Sequence, residues 1–191
     1  MQKRKPLRAS LILLCSEDFL PRLKAGGSWY GFMMSQNEVD CIRVSIQREL
    51  EAEGLPLPAY ATYDAAGMDV CAALPAENPV TLEPGERALI STGLRMAIPP
   101  GYEMQVRPRS GLAIHQGIGL VNAPGTIDAD YRGVVRVILI NWGQEAVTIR
   151  RGDRIAQFVL APVVRAQWEE HTSLDATERG GGGFGSTGIV S

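Results

Sequence analysis

From Val39 onward the chain alternates between apolar and polar positions. Ile42, Val44 and Ile46 interleave with Arg43, Ser45 and Gln47, which is the period of a half-buried strand. Tyr102, Met104 and Val106 interleave in the same way with Glu103, Gln105 and Arg107. Val134 to Trp142 is nearly unbroken apolar sequence and predicts a strand buried on both faces. Ala146 to Ile149 and Ile155 to Leu160 predict two further strands, joined as a hairpin by Arg151-Gly152-Asp153. Turn residues separate these runs at Glu83-Pro84-Gly85, Pro99-Pro100-Gly101, Ala123-Pro124-Gly125 and Asn141-Trp142-Gly143. Helical signal is confined to one turn over Arg48 to Glu53 and a short stretch from Ser110 to Ile114. Many short strands between regular turns predict an all-β sandwich, jelly roll or barrel.

The two ends depart from this pattern. Residues 1–38 carry Lys3, Arg4, Lys5 and Arg8 before a short apolar patch, Leu11-Ile12-Leu13-Leu14. That patch is too short for a secretory h-region, and Glu17 and Asp18 follow at once. The segment is expected to be an N-terminal extension, disordered or a mis-assigned start, with Met34 as the alternative first residue. A targeting role is the other reading. Residues 39–177 form the β domain, and 178–191 form a C-terminal arm. The arm holds Arg179, four glycines, Phe184, Gly185, Ser186 and Thr187, and such a glycine tract is expected to be mobile.

Composition narrows the chemistry. All three lysines, Lys3, Lys5 and Lys24, precede Ala25, and 13 arginines follow it. A P-loop or Schiff-base lysine therefore has no place in the main body. An anion there must be held by arginine and backbone N–H groups. With only His115 and His171, a histidine-rich metal site is excluded. The net charge of −2 gives no bulk attraction to DNA, RNA or an anionic membrane. No apolar run reaches the roughly 18 residues of a membrane span. Cys15, Cys41 and Cys71 are odd in number and lack CxxC spacing, which predicts reduced thiols in a cytoplasmic setting.

Several segments have residues suited to a phosphate-bearing ligand. In the arm, glycine N–H groups form anion-binding concavities, arginine supplies a bidentate fork, and phenylalanine offers a stacking face for a base. Ordering about ten residues costs on the order of 10 kcal/mol, so the arm should close only over a strongly charged ligand. Pro108-Arg109-Ser110-Gly111-Leu112-Ala113 follows a strand and suits either a phosphate grip or a loop leading into a helix capped by Ser110. Gly125 to Gly133 places Asp128, Asp130 and Tyr131 in a predicted hairpin. Either carboxylate suits the orientation and deprotonation of a water, and spacing alone leaves the choice between them open. Ala66-Gly67-Met68-Asp69 puts a carboxylate at the start of a strand. The Arg-Gly-Asp triplet at 151–153 is read as turn chemistry rather than as an adhesion signal.

In this order, five segments resemble the five motifs of the homotrimeric deoxyuridine triphosphatase (dUTPase) family. They are Ala66 to Asp69, Pro108 to Ala113, Asn122 to Gly133, Arg151 to Gln157 and Arg179 to Gly188. Each is weak alone, and the five together span about residues 39–189. The resemblance implies a jelly-roll-like β-sandwich or distorted barrel, a homotrimer, and active sites shared between subunits. It implies hydrolysis of dUTP to dUMP and pyrophosphate with Mg²⁺ on the triphosphate. That reaction keeps uracil out of DNA and supplies dUMP for thymidylate synthesis. By position, Asp128 would activate the attacking water. Asn122, Thr126, Ile127 and the backbone as far as Arg136 would read the uracil. Tyr131 would pack under the deoxyribose and exclude a 2′-hydroxyl. Arg109, Ser110, Gly111 and Gln157 would hold phosphates, and Asp69 would approach the metal through water. Phe184 would stack on the base, with Arg179, Gly185, Ser186 and Thr187 closing over the phosphate chain. Two rival readings remain, a dCTP deaminase on the same fold and a non-catalytic nucleotide-binding module. Ammonia release marks the first, and binding without turnover marks the second.

Overall fold

The computed structural model describes residues 41–183. The extension at 1–38 and the arm residues Phe184, Gly185, Ser186 and Thr187 lie outside the described residues. The alternation at 42–47 gives only β1 (Ser45–Arg48), whose four residues are exposed rather than half-buried, and β2 (Ala59–Tyr60), β3 (Met68–Cys71), β4 (Val80–Leu82) and β5 (Arg87–Ala97) follow it. They continue as β6 (Tyr102–Arg107), β7 (Ile118–Leu120), β8 (Gly125–Ile127), β9 (Val135–Asn141), β10 (Val147–Ile149) and β11 (Arg154–Pro162). A single helix, α1 (Ser110–Gln116), and a 3-10 turn over Leu50–Ala52 complete the described elements. None of these helices is long and apolar enough to cross a membrane.

All strand pairs are antiparallel. One sheet has the order β1-β5-β9-β7, a second has β2-β3-β11-β6-β8, and β10 pairs with β4 as a ribbon. This is the all-β, jelly-roll-like sandwich expected from the pattern. Leu94, Val137 and Leu139 from the first sheet share one core with Val70, Met104, Val106 and Phe158 from the second. Period-two alternation accounts for these positions, since successive side chains leave a strand on opposite faces.

Three expectations are corrected. First, β9 is not buried on both faces. Val135, Val137, Leu139 and Asn141 point inward, while Arg136 is exposed and Ile138 and Ile140 are half-buried. Among the described residues the outer face of its sheet is only partly covered, and Leu89, paired with Ile138, is 57% exposed. Second, Arg151-Gly152-Asp153 is not a hairpin, because β10 pairs with β4 while β11 pairs with β3 and β6. The triplet instead carries the chain from the ribbon into the five-stranded sheet. Gly152 takes φ +85°, a conformation suited to glycine. The Arg151 guanidinium is committed to three carbonyls, those of Glu51 (2.6 Å), Glu53 (2.6 Å) and Leu74 (3.0 Å). Third, the segment from Gly125 onward joins the two sheets rather than forming a hairpin, since β8 pairs with β6 and β9 pairs with β5 and β7.

Asn141 is the polar residue most deeply set in this core, fully buried at the end of β9. Its amide donates to Leu82 O (2.9 Å) and Glu145 O (2.7 Å), and its Oδ1 accepts from Gly143 N (2.8 Å). It thereby fastens the start of the β9–β10 turn to β4. Asn141→Ala strands all three partners. It is expected to lower unfolding stability by about 2–3 kcal/mol, read as a reduced urea midpoint with an unchanged slope.

Candidate active site

The second sheet presents Asp69, Gln157 and Arg107 in one row across β3, β11 and β6, because these residues are paired in register. Val70 and Phe158, their chain neighbours, face the core. Arg109 follows β6 and reaches back over β11 to Asp69. Its Nε donates to Asp69 Oδ1 (3.0 Å), its Nη2 to Oδ2 (3.4 Å), and its Nη1 to Arg154 O (3.0 Å). Arg154 Nη1 donates to Asp69 Oδ2 (2.9 Å), and Gln157 Nε2 donates to Oδ1 (3.1 Å). Two guanidinium groups thus share one carboxylate, and Asp153 lines the adjoining cavity with both arginines. The Asp69 carboxylate orients both forks, while Arg154 stays 58% exposed and open to an anion. Gly67 lies against the Gln157 side chain, where a Cβ would sit 3.3 Å from its Cδ.

Ser110 and Gly111 open α1 beside this cluster. The helix N-cap is Arg109, not Ser110, and no side chain caps it. Arg109 O accepts from Ala113 N (3.0 Å), so the Ser110 and Gly111 N–H groups have no acceptor within the helix.

The second group of residues surrounds a cleft of about 310 Å³ lined by Leu89, Thr126, Ile127, Asp128, Tyr131, Val134, Val135 and Arg136. The 128–131 turn closes on itself, with Tyr131 N donating to Asp128 O (3.1 Å). The Tyr131 hydroxyl donates to Val134 O (3.2 Å). The phenol end of Tyr131 packs on Gly133, where a Cβ would sit 2.3 Å from the phenol oxygen and 2.5 Å from Cζ. Only glycine admits the ring in that place. Asp128 is exposed, and its carboxylate has no hydrogen-bond or ion-pair partner among the described residues. Asp130 does not line this cleft; it faces a neighbouring one with Tyr102, Glu103 and Arg165.

The two groups do not converge within one chain. Asp69 and Ile127 lie three strands apart in the order β3-β11-β6-β8, about 14 Å at the usual spacing. Along the strands, Asp69 is level with Arg107 and Ile127 with Met104, a further offset of about 10 Å. Asn122 stands apart from both, its amide nitrogen folded over Gly125, where a Cβ would approach it to 3.2 Å. Arg179 is exposed and turned onto its own glycine tract, with Nε donating to Gly182 O (2.8 Å).

Two residues of these groups escaped the sequence reading. Arg154 lies inside the fourth motif, but its link to Asp69 depends on a bulge between Arg154 and Ala156. Leu89 is an outward apolar residue of β5, and only the pairing of β5 with β9 brings it to the cleft. No group of three or more His, Cys, Asp or Glu side chains converges as a metal site among the described residues. Both Asp69 oxygens already accept hydrogen bonds from cationic or amide donors. A direct protein-held Mg²⁺ therefore does not fit, whereas contact through water to a cation brought by a triphosphate does.

Cys71 closes β3 two residues from Asp69. Burial pushes its thiol up, and the neighbouring Arg154 charge only partly opposes this. The native protein is expected to leave Cys71 unmodified by iodoacetamide near neutral pH and to expose it to alkylation on unfolding. Peptide mass mapping before and after urea reads both states.

An antiparallel sandwich with an arginine cluster and a separate cleft edged by a carboxylate has one place suited to an anion and another suited to a ring. The chain belongs to the dUTPase family, whose model matches residues 53–188. A deoxyuridine 5'-triphosphate nucleotidohydrolase of Desulfotalea psychrophila (strain LSv54 / DSM 12343) is 66% identical over 139 residues, 73% of this chain and 91% of that protein. Among solved structures, a Staphylococcus bacteriophage 80alpha dUTPase with dUpNHpp matches with a TM-score of 0.67 at 24% identity, over 77% of this chain and 99% of its own. A dUTPase from phage phi11 of S. aureus, described with a structural Mg(II) ion, matches with a TM-score of 0.61 at 22% identity, over 71% and 100%. At those identities the two structures support the fold alone.

Proposed function

We propose that this chain hydrolyses dUTP to dUMP and pyrophosphate. The observation that carries the proposal is the family match, which runs through all five motifs and ends at residue 188. In this reading Asp128 takes a proton from a water whose oxygen attacks the α-phosphorus. The bond from that phosphorus to its bridging oxygen breaks, and pyrophosphate leaves. The unpaired Asp128 carboxylate at the rim of the Tyr131 cleft supports this assignment over Asp130, which lies outside the cleft.

The cleft receives uracil and deoxyribose. Thr126, Ile127, Asn122 and the backbone through Arg136 would read the base, and Tyr131 would clash with a 2′-hydroxyl. A clash is needed, because an apolar wall alone rejects an added hydroxyl by only about 10²-fold. Arg109, Ser110, Gly111 and Gln157 hold the phosphates, and Arg154 joins them. Mg²⁺ enters with the triphosphate as part of the substrate and neutralises charge there, with Asp69 reaching it through water. Arg179, Phe184, Gly185, Ser186 and Thr187 close over the bound nucleotide.

A base must stand within about 2.6–3.2 Å of the proton it takes, or one water further. Within one chain the strands carrying Asp69 and Ile127 lie about 14 Å apart, yet the phosphate held at the first must be attacked beside the second. We read the site as completed by a second copy, in the homotrimer that the family resemblance implies, with subunits exchanging these two halves. The exposed Leu89 of the cleft wall and the half-buried Ile138 paired with it suit such a contact. We place the enzyme in the cytoplasm with its nucleotide substrate.

The test is pyrophosphate release, with Mg²⁺, from dUTP, UTP, dTTP and dCTP in parallel. Release is expected from dUTP alone. Asp128→Asn should lower kcat by about 10²–10⁴-fold with KM little changed. Near-normal turnover in that variant overturns the assignment of the base. Ammonia release from dCTP assigns the chain to the deaminase reading, and binding without turnover to the module.

A further inference from the structure

We infer that Arg95, on β5, is a positioning residue for the segment that carries Asp128 and Tyr131. This rests on the reading of that segment as half of the active site. Arg95 lies in none of the five motifs, and its side chain lines neither the cleft nor the arginine cluster. Its Nη1 donates to Arg132 O (3.0 Å), and its Nε forms an ion pair with Glu49 Oε1. Glu49 is itself fixed to the sheet, its N–H donating to Gly93 O (2.8 Å).

Arg132 passes this anchorage into the segment. Its Nη1 donates to Ala129 O (2.6 Å) and to Tyr131 O (2.8 Å). Tyr131 N then closes onto Asp128 O (3.1 Å). A continuous chain of bonds therefore runs from the 49–52 region through Arg95 and Arg132 to the backbone on both sides of Asp128 and Tyr131. Residues 128–134 carry no regular ladder, so these bonds replace sheet pairing as what fixes them. The need for such a tie is steric. Tyr131 must hold its ring on Gly133 within tenths of an ångström to reject a 2′-hydroxyl, and a frayed backbone would let it swing aside.

Two measurements test this on the full chain. Hydrogen exchange of peptides spanning 128–133 should quicken about 10-fold in Arg95→Ala, while β6 and β11 keep wild-type protection. The ratio of kcat/KM for dUTP over UTP should fall about 10-fold. Arg95→Lys, which keeps a cation and several donors, should restore part of both. Arg87→Ala, an exposed arginine on the same strand, should change neither. Unchanged exchange and an unchanged ratio in Arg95→Ala overturn the inference. So does an equal loss of activity on both nucleotides with exchange unaltered, since that is the mark of a merely structural residue. If Arg95→Ala does not fold, Glu49→Ala removes the ion pair that aims the guanidinium. It must then quicken exchange in 128–133, or the inference fails. The exchange measurement stands even if no nucleotide is turned over, which separates this inference from the proposed reaction.

Discussion

The order of strands in the five-stranded sheet is the constraint on which the rest depends. With β11 and β6 between them, β3 and β8 cannot bring Asp69 and Asp128 together. Antiparallel pairing fixes the offset along the strands as firmly as the one across them. No rotamer change in Arg109, already bound to Asp69 and to Arg154 O, closes that gap. In the proposed reading a single subunit holds two half-sites, one for negative charge and one for a ring. This geometry supports the proposed assembly beside the family resemblance.

The charged half is organised by Asp69. Two unit charges at 4 Å interact by about 1 kcal/mol in water and about 4 kcal/mol at an effective dielectric of 20. Arginines clustered without a carboxylate would repel each other and splay into solvent. Asp69, 18% exposed, holds Arg109 and Arg154 together, and Arg154 stays 58% exposed beside it. The same involvement is why this carboxylate makes a poor direct ligand for a cation. The apolar half relies on glycine and on backbone bonds instead. Tyr131 is placed by the absence of a side chain at Gly133, and the segment around it is tied by Arg132 and Arg95.

Much of this was legible in the sequence because it depends on local periodicity. The alternation of Tyr102 to Arg107 and the apolar run at Val134 to Trp142 located β6 and β9 closely. The Ser110 stretch became α1, with the cap shifted by one residue to Arg109. Sheet membership was not legible, because it is set by long-range pairing. The turns at 151–153 and 128–134 look like hairpins locally, but the strands they join belong to different sheets. The same limit explains the missed residues. Leu89 gains its role only through register with β9, and Arg154 only through a bulge opposite β3. The grouping of motif residues was more legible: Asp69, Arg109 and Gln157 meet directly, and Thr126, Ile127, Asp128, Tyr131 and Arg136 line one cleft.

The most direct measurement of a divided site uses two inactive chains. Asp128→Asn lacks the base and keeps the arginine cluster, while Arg109→Ala keeps the base and lacks the grip. Equal amounts are unfolded together, refolded and assayed for pyrophosphate release from dUTP. If each site draws these halves from different subunits, random mixing leaves about a quarter of the sites with both groups intact, and activity returns to that order. Activity no greater than that of the two variants refolded separately would show that one chain supplies both groups, and would contradict a site shared between subunits.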